Sequence, residues 1–130
     1  MGEVLLIVDD IADVARSFSR LFRGNFEKVY TASTPEEAEK VLGQTDGPPT
    51  ALICDYWLGK GRPLGSELIA RWRAAYPSLK RVALITGSQM SELKLGPGID
   101  GVFCKPVDLE SLRDLLKGAG VPERSGGSGE

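Results

Sequence analysis

The sequence predicts an α/β fold: one doubly wound, five-stranded parallel sheet with helices on both faces. Three observations predict it. Short apolar runs of strand length alternate with longer segments whose apolar residues recur at helical spacing. That alternation occurs five times, the pattern of parallel strands joined by right-handed helical crossovers. Four of the runs end in polar groups, namely Asp9-Asp10, Asp55, Thr86-Gly87 and Lys105. In an open parallel sheet the carboxyl ends of the strands lie side by side, and ligands bind at that edge.

The elements follow in order. Val4–Val8 is the first strand, closed by Asp9 and Asp10. Ile11, Val14, Ala15, Phe18, Leu21 and Phe22 recur at helical spacing and define the first helix, which Gly24-Asn25 ends. Lys28–Ala32 is a weaker strand. Thr34-Pro35-Glu36-Glu37 is a helix start: Thr34 caps, Pro35 suits the first turn and Glu37 completes a capping box. Ala38, Val41 and Leu42 face inward, and Gly43 stops this helix. Asp46-Gly47-Pro48-Pro49 is a loop.

Ala51-Leu52-Ile53-Cys54 then runs into the solitary Asp55. An apolar run of this kind is a strand buried on both faces. Tyr56–Gly65, with three glycines and a proline, is a loop. Leu68, Ile69, Trp72 and Ala75 carry the third helix, closed by Pro77. Arg81–Ile85 is the fourth strand. Ser88–Leu95 has room for about two helical turns before Gly96-Pro97-Gly98 breaks them. Gly101–Cys104 is the fifth strand. In the last helix Asp108 caps, Leu109, Leu112, Leu115 and Leu116 face inward, and Gly118 and Gly120 end it. Residues 1–120 form the expected domain, and 121–130, rich in Gly and Ser, have the composition of a flexible tail or linker.

Sixteen basic residues against eighteen acidic give a net charge of −2, which makes no electrostatic case for direct nucleic-acid binding. No apolar run approaches membrane-spanning length and no signal-peptide pattern precedes Val4, so no membrane contact is expected and the protein is read as cytoplasmic. The cysteines, Cys54 and Cys104, each sit in an apolar run and are expected to be small buried hydrophobes. There is no histidine, which removes Ser-His-Asp and Cys-His triads and His-ligated metals. The chemistry is left to carboxylates, hydroxyls and lysines.

Asp9, Asp10 and Asp55, brought together, would raise one another's pKa, and a hard cation such as Mg²⁺ would relieve the repulsion. Metal binding alone gives no role to Lys105 or Thr86. A tetrahedral anion does: Lys105 offers a point charge, while the Thr86 hydroxyl and Gly87 amide donate to its oxygens. The combination suggests a phosphoryl site in which a carboxylate is the nucleophile. Asp55 is the candidate because it is solitary, whereas Asp9 and Asp10 are paired like a metal grip.

Val8-Asp9-Asp10, the strand-end Asp55, Ile85-Thr86-Gly87 and Lys105-Pro106, in that order, resemble the receiver domain of two-component response regulators. The resemblance spans residues 3–118. It implies the flavodoxin-like strand order 2-1-3-4-5. It also implies that Asp55 takes a phosphoryl group from phosphohistidine on a sensor histidine kinase or histidine phosphotransfer protein. Mg²⁺ would be held by Asp10, Asp55, the main-chain carbonyl of Trp57 and, through water, Asp9. Lys105, Thr86 and Gly87 would bind the phosphoryl group, and Thr86 would bias a two-state switch. Such a domain catalyses only its own phosphorylation and dephosphorylation, so it is a signalling domain within a two-component system or phosphorelay.

Three features depart from the family pattern. Val102 stands where an aromatic switch partner is usual, and Phe103 is expected on the opposite strand face. The chain between Thr86 and Lys105 is a few residues short, so any partner surface there is expected to be unusual. The loop after Asp55 is slightly long and carries Trp57, which either packs the loop or shields an acyl phosphate from water. The first two favour a rival reading, a phosphorylation-independent pseudo-receiver that docks proteins. A phosphatase of the haloacid dehalogenase type is disfavoured because its second Asp would stand at Trp57. A nucleotide-binding domain is disfavoured because no Gly-x-Gly-x-x-Gly follows the first strand. The loop Asp-Tyr-x-Leu-Gly-x-Gly resembles receivers attached to sensor kinases. A stand-alone regulator, a relay intermediate, a piece of a hybrid kinase and a homodimer all stay open.

Overall fold

A computed structural model describes residues 3–87 and 96–117. Among them, β1 (Val4–Val8), β2 (Lys28–Ala32), β3 (Ala51–Asp55), β4 (Arg81–Thr86) and β5 (Gly101–Cys104) form one parallel sheet in the order β2-β1-β3-β4-β5. Between and after them run α1 (Ala12–Phe22), α2 (Pro35–Leu42), α3 (Gly65–Ala75) and α4 (Leu109–Lys117). The expected architecture and strand order are both found. The turns expected over Ser88–Leu95, the helix stop at Gly118 and Gly120, and the tail 121–130 lie outside the described residues.

The two-residue period of a strand divides the sheet's side chains between two cores. Leu6, Val8, Leu52, Cys54, Val82 and Leu84 face α2 and α3, where Ala38, Leu42, Leu68, Ile69 and Trp72 complete one core. Leu5, Ile7, Ala51, Ile53, Ala83 and Ile85 face α1 and α4, where Ala15, Phe18, Phe22, Leu112 and Leu116 complete the other. Every residue of β1 and β3 is buried, as continuous apolar runs require. Val102 packs on the first core and Phe103 on the second, on opposite faces as expected.

Local chemistry sets the helix starts. The Thr34 hydroxyl accepts from the Glu37 N–H at 3.2 Å, and Pro35 occupies the first turn of α2. The Glu37 carboxylate reaches back one residue further than a strict capping box, accepting from the Ser33 N–H at 2.8 Å. Asp108 caps α4 through the Glu110 and Ser111 N–H groups.

Two burial expectations, for Leu109 and Cys104, need correction. Ile11 and Leu21 are each 52% exposed; Ala15, Phe18 and Phe22, with Val14 partly buried beside them, are the residues of this segment that cover the sheet. Leu109, expected to face inward, begins α4 and is exposed at its end; Ala75, the last residue of α3, is exposed as well. Cys104 is exposed, not buried: it ends the edge strand β5, where the sheet stops covering the chain. Cys54, in a central strand, is buried as expected.

Candidate functional site: an acidic cluster at the switch point of the sheet

In the order β2-β1-β3-β4-β5 the chain winds away from β1 in one direction and from β3 in the other. The crevice beyond the carboxyl ends of these two strands is the place where open α/β sheets bind ligands. The register decides what lines it. Val8 pairs with Cys54, so the next residues, Asp9 and Asp55, stand abreast. Asp55 pairs with Ile85, which puts Thr86 one step further on, and Thr86 pairs with Cys104, which is followed by Lys105. The Lys105 N–H donates to the Thr86 carbonyl at 2.9 Å, tying the two strand ends together. The Lys105–Pro106 bond is cis.

Asp9, Asp10 and Asp55 each bring a carboxylate oxygen into one cluster whose atoms lie within 4.8 Å of one another. Asp9 and Asp55 are buried, and Asp10 is exposed at the mouth. Asp55, 8% exposed, has its carboxyl pushed up to about 7. Burial is the main cause and repulsion from Asp9 the next, with Lys105 opposing both. Asp9 is also raised by burial, held back by the Ile11 N–H, which donates to its Oδ1 at 2.9 Å, and by the charge of Lys105. The adjacent Cys54 thiol is raised by burial and by both carboxylates, so it is inert at neutral pH.

The expected site residues therefore come to one edge. Thr86 is buried at the end of β4, Gly87 is exposed just after it, and Lys105 is exposed after β5. Val102 lies lower in β5, paired with Leu84 and half-buried. Trp57 does not pack the loop. It is 56% exposed, and its neighbour Leu58 anchors the loop in the core instead. Gly59 takes a φ of 120°, and a Cβ there would stand 3.8 Å from Asp10 Oδ2, so the loop runs along the acidic cluster.

Two supports of the site went unread in the sequence. Tyr56, the residue after Asp55, is pinned on both sides: its N–H donates to the Ile85 carbonyl and its carbonyl accepts from the Gly65 N–H, each at 2.8 Å. The Glu39 carboxylate of α2 accepts from the Trp72 indole and the Arg71 guanidinium of α3, each at 3.0 Å. Gly65 carried only a loop signal in the sequence, and Glu39 had no signal beyond a polar position.

The donor set fits a hard divalent cation. It offers only oxygens, from three carboxylates, and the raised pKa of Asp55 comes from burial first and from repulsion by Asp9 next, both of which a bound cation would offset. Asp9 already has one oxygen engaged by Ile11, which leaves Asp10 and Asp55 as the freer direct ligands.

No family model matches the sequence, and no curated relative matches it. Solved structures do. The receiver domain of a two-component response regulator from Bacteroides fragilis is 24% identical, with a TM-score of 0.74 over 91% of this chain and 96% of that one. A CheY-like receiver domain protein from Methanospirillum hungatei is 23% identical, with a TM-score of 0.73 over 91% of this chain and 96% of that one. A response regulator from Burkholderia pseudomallei, solved with a phosphorylated aspartic acid, a calcium ion and citrate, is 21% identical, with a TM-score of 0.68 over 88% of this chain and 66% of that one. The chain has the fold of receiver domains across about nine-tenths of its length.

Proposed function

We propose that the protein is a phosphoacceptor receiver domain that takes a phosphoryl group from phosphohistidine on a partner protein onto Asp55. The observation that carries this reading is the juxtaposition at the switch point. A buried carboxylate with a raised pKa stands among two further carboxylates and within the field of Lys105. The shared fold supports it, and so does the phosphorylated aspartic acid of the Burkholderia regulator.

In the proposed reaction an Asp55 carboxylate oxygen forms a bond to phosphorus while the bond from phosphorus to the partner's imidazole nitrogen breaks. The electron pair stays with that nitrogen, so a protonated ring leaves as neutral imidazole. The product is an acyl phosphate. Asp10, Asp55, the Trp57 carbonyl and, less directly, Asp9 would hold Mg²⁺, which supplies charge neutralisation at the transferring group. Lys105 pairs with the phosphoryl oxygens from the other side, and the Thr86 hydroxyl and Gly87 N–H donate to them. Thr86, buried at the end of β4, shifts toward the new charge and biases a two-state equilibrium in which Val102, half-buried, takes the second switch position. Water later cleaves the acyl phosphate and restores the carboxylate.

Ile11, the residue just before α1 and two after Asp9, is exposed beside the site and offers an apolar contact to a partner that presents the phosphohistidine. The partner is a sensor histidine kinase or a histidine phosphotransfer protein.

The test is intact-mass measurement after incubation with Mg²⁺ and acetyl phosphate. The parent is expected to gain one phosphoryl group and Asp55→Asn none. No adduct on the parent, with no Mg²⁺-dependent change in Trp57 fluorescence on adding beryllofluoride, would overturn the reading in favour of phosphorylation-independent docking.

A further inference from the structure

We propose that Gly65 is a positioning residue for the acceptor: the lack of a side chain there sets where the Asp55 end of β3 stands. The inference rests on the phosphoacceptor reading of Asp55. Gly65 is the first residue of α3 and is buried. Its backbone φ lies outside the left-handed region, so conformational freedom does not call for glycine. Space does. A Cβ at Gly65 would overlap the main-chain oxygen of Asp55, and it would stand 3.0 Å from the Asp55 carbonyl carbon and 3.1 Å from Tyr56 Cα. These are backbone atoms of a central strand and its exit, and they cannot rotate aside.

The approach is close for a reason visible in the hydrogen bonds. The Gly65 N–H donates to the Tyr56 carbonyl at 2.8 Å while the Tyr56 N–H donates to Ile85 in β4. The helix start thus clamps the peptide that leaves Asp55 against the sheet. Trp57, whose carbonyl is a proposed ligand, is the next residue along, so the same clamp aims that carbonyl. A side chain at Gly65 would push the Asp55–Trp57 segment outward without removing any chemical group from the site.

The two physical readings of a glycine at this position differ in sign. Were it only a weak helix former, alanine would favour α3 and leave the chemistry alone. Were it a spacer, alanine would displace the carboxylate, and a misplacement of about 1 Å can cost about a hundredfold in rate. The experiment compares Gly65→Ala with the parent, with Gly24→Ala, where a Cβ meets nothing within 4 Å, and with Ala70→Gly, which weakens α3 about one and a half turns further along the helix. Phosphorylation by acetyl phosphate is followed by mass, Mg²⁺ affinity by calorimetry, and folding by thermal melts.

Expected for Gly65→Ala is a folded protein whose phosphorylation at saturating donor is slower by about tenfold or more, with weaker Mg²⁺ binding. Gly24→Ala and Ala70→Gly should keep parental rates, the latter despite a lower melting temperature. A Gly65→Ala rate equal to the parent's would overturn the positioning role alone. So would a loss in Ala70→Gly equal to that in Gly65→Ala, because general weakening of α3 would then explain both. A parent that takes no phosphoryl group would overturn the phosphoacceptor reading itself and this inference with it.

Discussion

Asp55 carries a cost in the absence of a cation. Its pKa in the folded protein is pushed to about 7, above the ordinary aspartate value, by burial and by Asp9. A carboxyl raised on folding binds its proton more tightly in the folded state, so its contribution to stability is fullest below about pH 4 and is lost as the pH rises through about 7. Asp55→Asn removes the buried charge. In chelator at pH 8 the variant is expected to be more stable than the parent by on the order of 3 kcal/mol in urea unfolding, with the gain shrinking toward zero near pH 4. Equal stabilities at pH 8 would mean that the carboxylate is better solvated than its burial implies. At this scale the sequence was legible where chemistry and position coincide. Solitary Asp55, paired Asp9-Asp10, Thr86 and Lys105 are polar groups at the ends of apolar runs, and that contrast is visible in one dimension. Gly65 was not, because its neighbour across space is backbone, which carries no sequence signal.

Among the elements, α3 is the one on which the site leans. Its first residue clamps the exit from β3, and its body is tied to α2 through Glu39. The Trp72 indole is buried and donates to the Glu39 carboxylate at 3.0 Å. Glu39→Ala would leave that N–H unpaired and should cost about 1–3 kcal/mol, read as a lower urea midpoint with an unchanged slope. Arg73 holds the far end of the same helix. It donates to the carbonyls of Leu79, Lys80 and Gly98 and pairs with Asp100, whose carboxylate also accepts from the Val82 N–H at 2.7 Å. These ties join α3 to the entry of β4 and the lead into β5. The helix boundaries were legible from caps and breakers such as Thr34, Pro35, Gly43, Pro77 and Asp108. Which apolar residue of a helix faces in was less so. Ile11, Leu21, Ala75 and Leu109 fit a helical period, yet the sheet is covered without them.

For the whole molecule, a cation held by the acidic cluster would couple its binding to folding, since the unfolded chain does not bring Asp55 to Asp9 and Asp10. Mg²⁺ at about a hundred times its dissociation constant should stabilise the folded protein by about 2.7 kcal/mol. At pH 8 this appears as a higher melting temperature. It should fade as the pH falls below about 7 and Asp55 takes up its proton. Asp10→Asn, which leaves the buried pair intact and removes a ligand at the mouth, should lose most of the Mg²⁺ effect while keeping the parental fold. An undiminished shift would place the cation elsewhere.

The sequence by itself determined the fold class and the roster of chemical groups. Hydrophobic periodicity is local, and a parallel sheet with right-handed crossovers leaves few ways to arrange five strand–helix alternations. It also told, by the absence of histidine, which chemistries were closed to the chain. Register and close approach belonged to the tertiary structure. Only the pairing of Val8 with Cys54 and of Thr86 with Cys104 makes Asp9, Asp55, Thr86 and Lys105 neighbours. Only the packing of α3 against the end of β3 shows that a glycine must stand at 65. Both depend on contacts between residues far apart in the chain, and a one-dimensional pattern does not carry those distances.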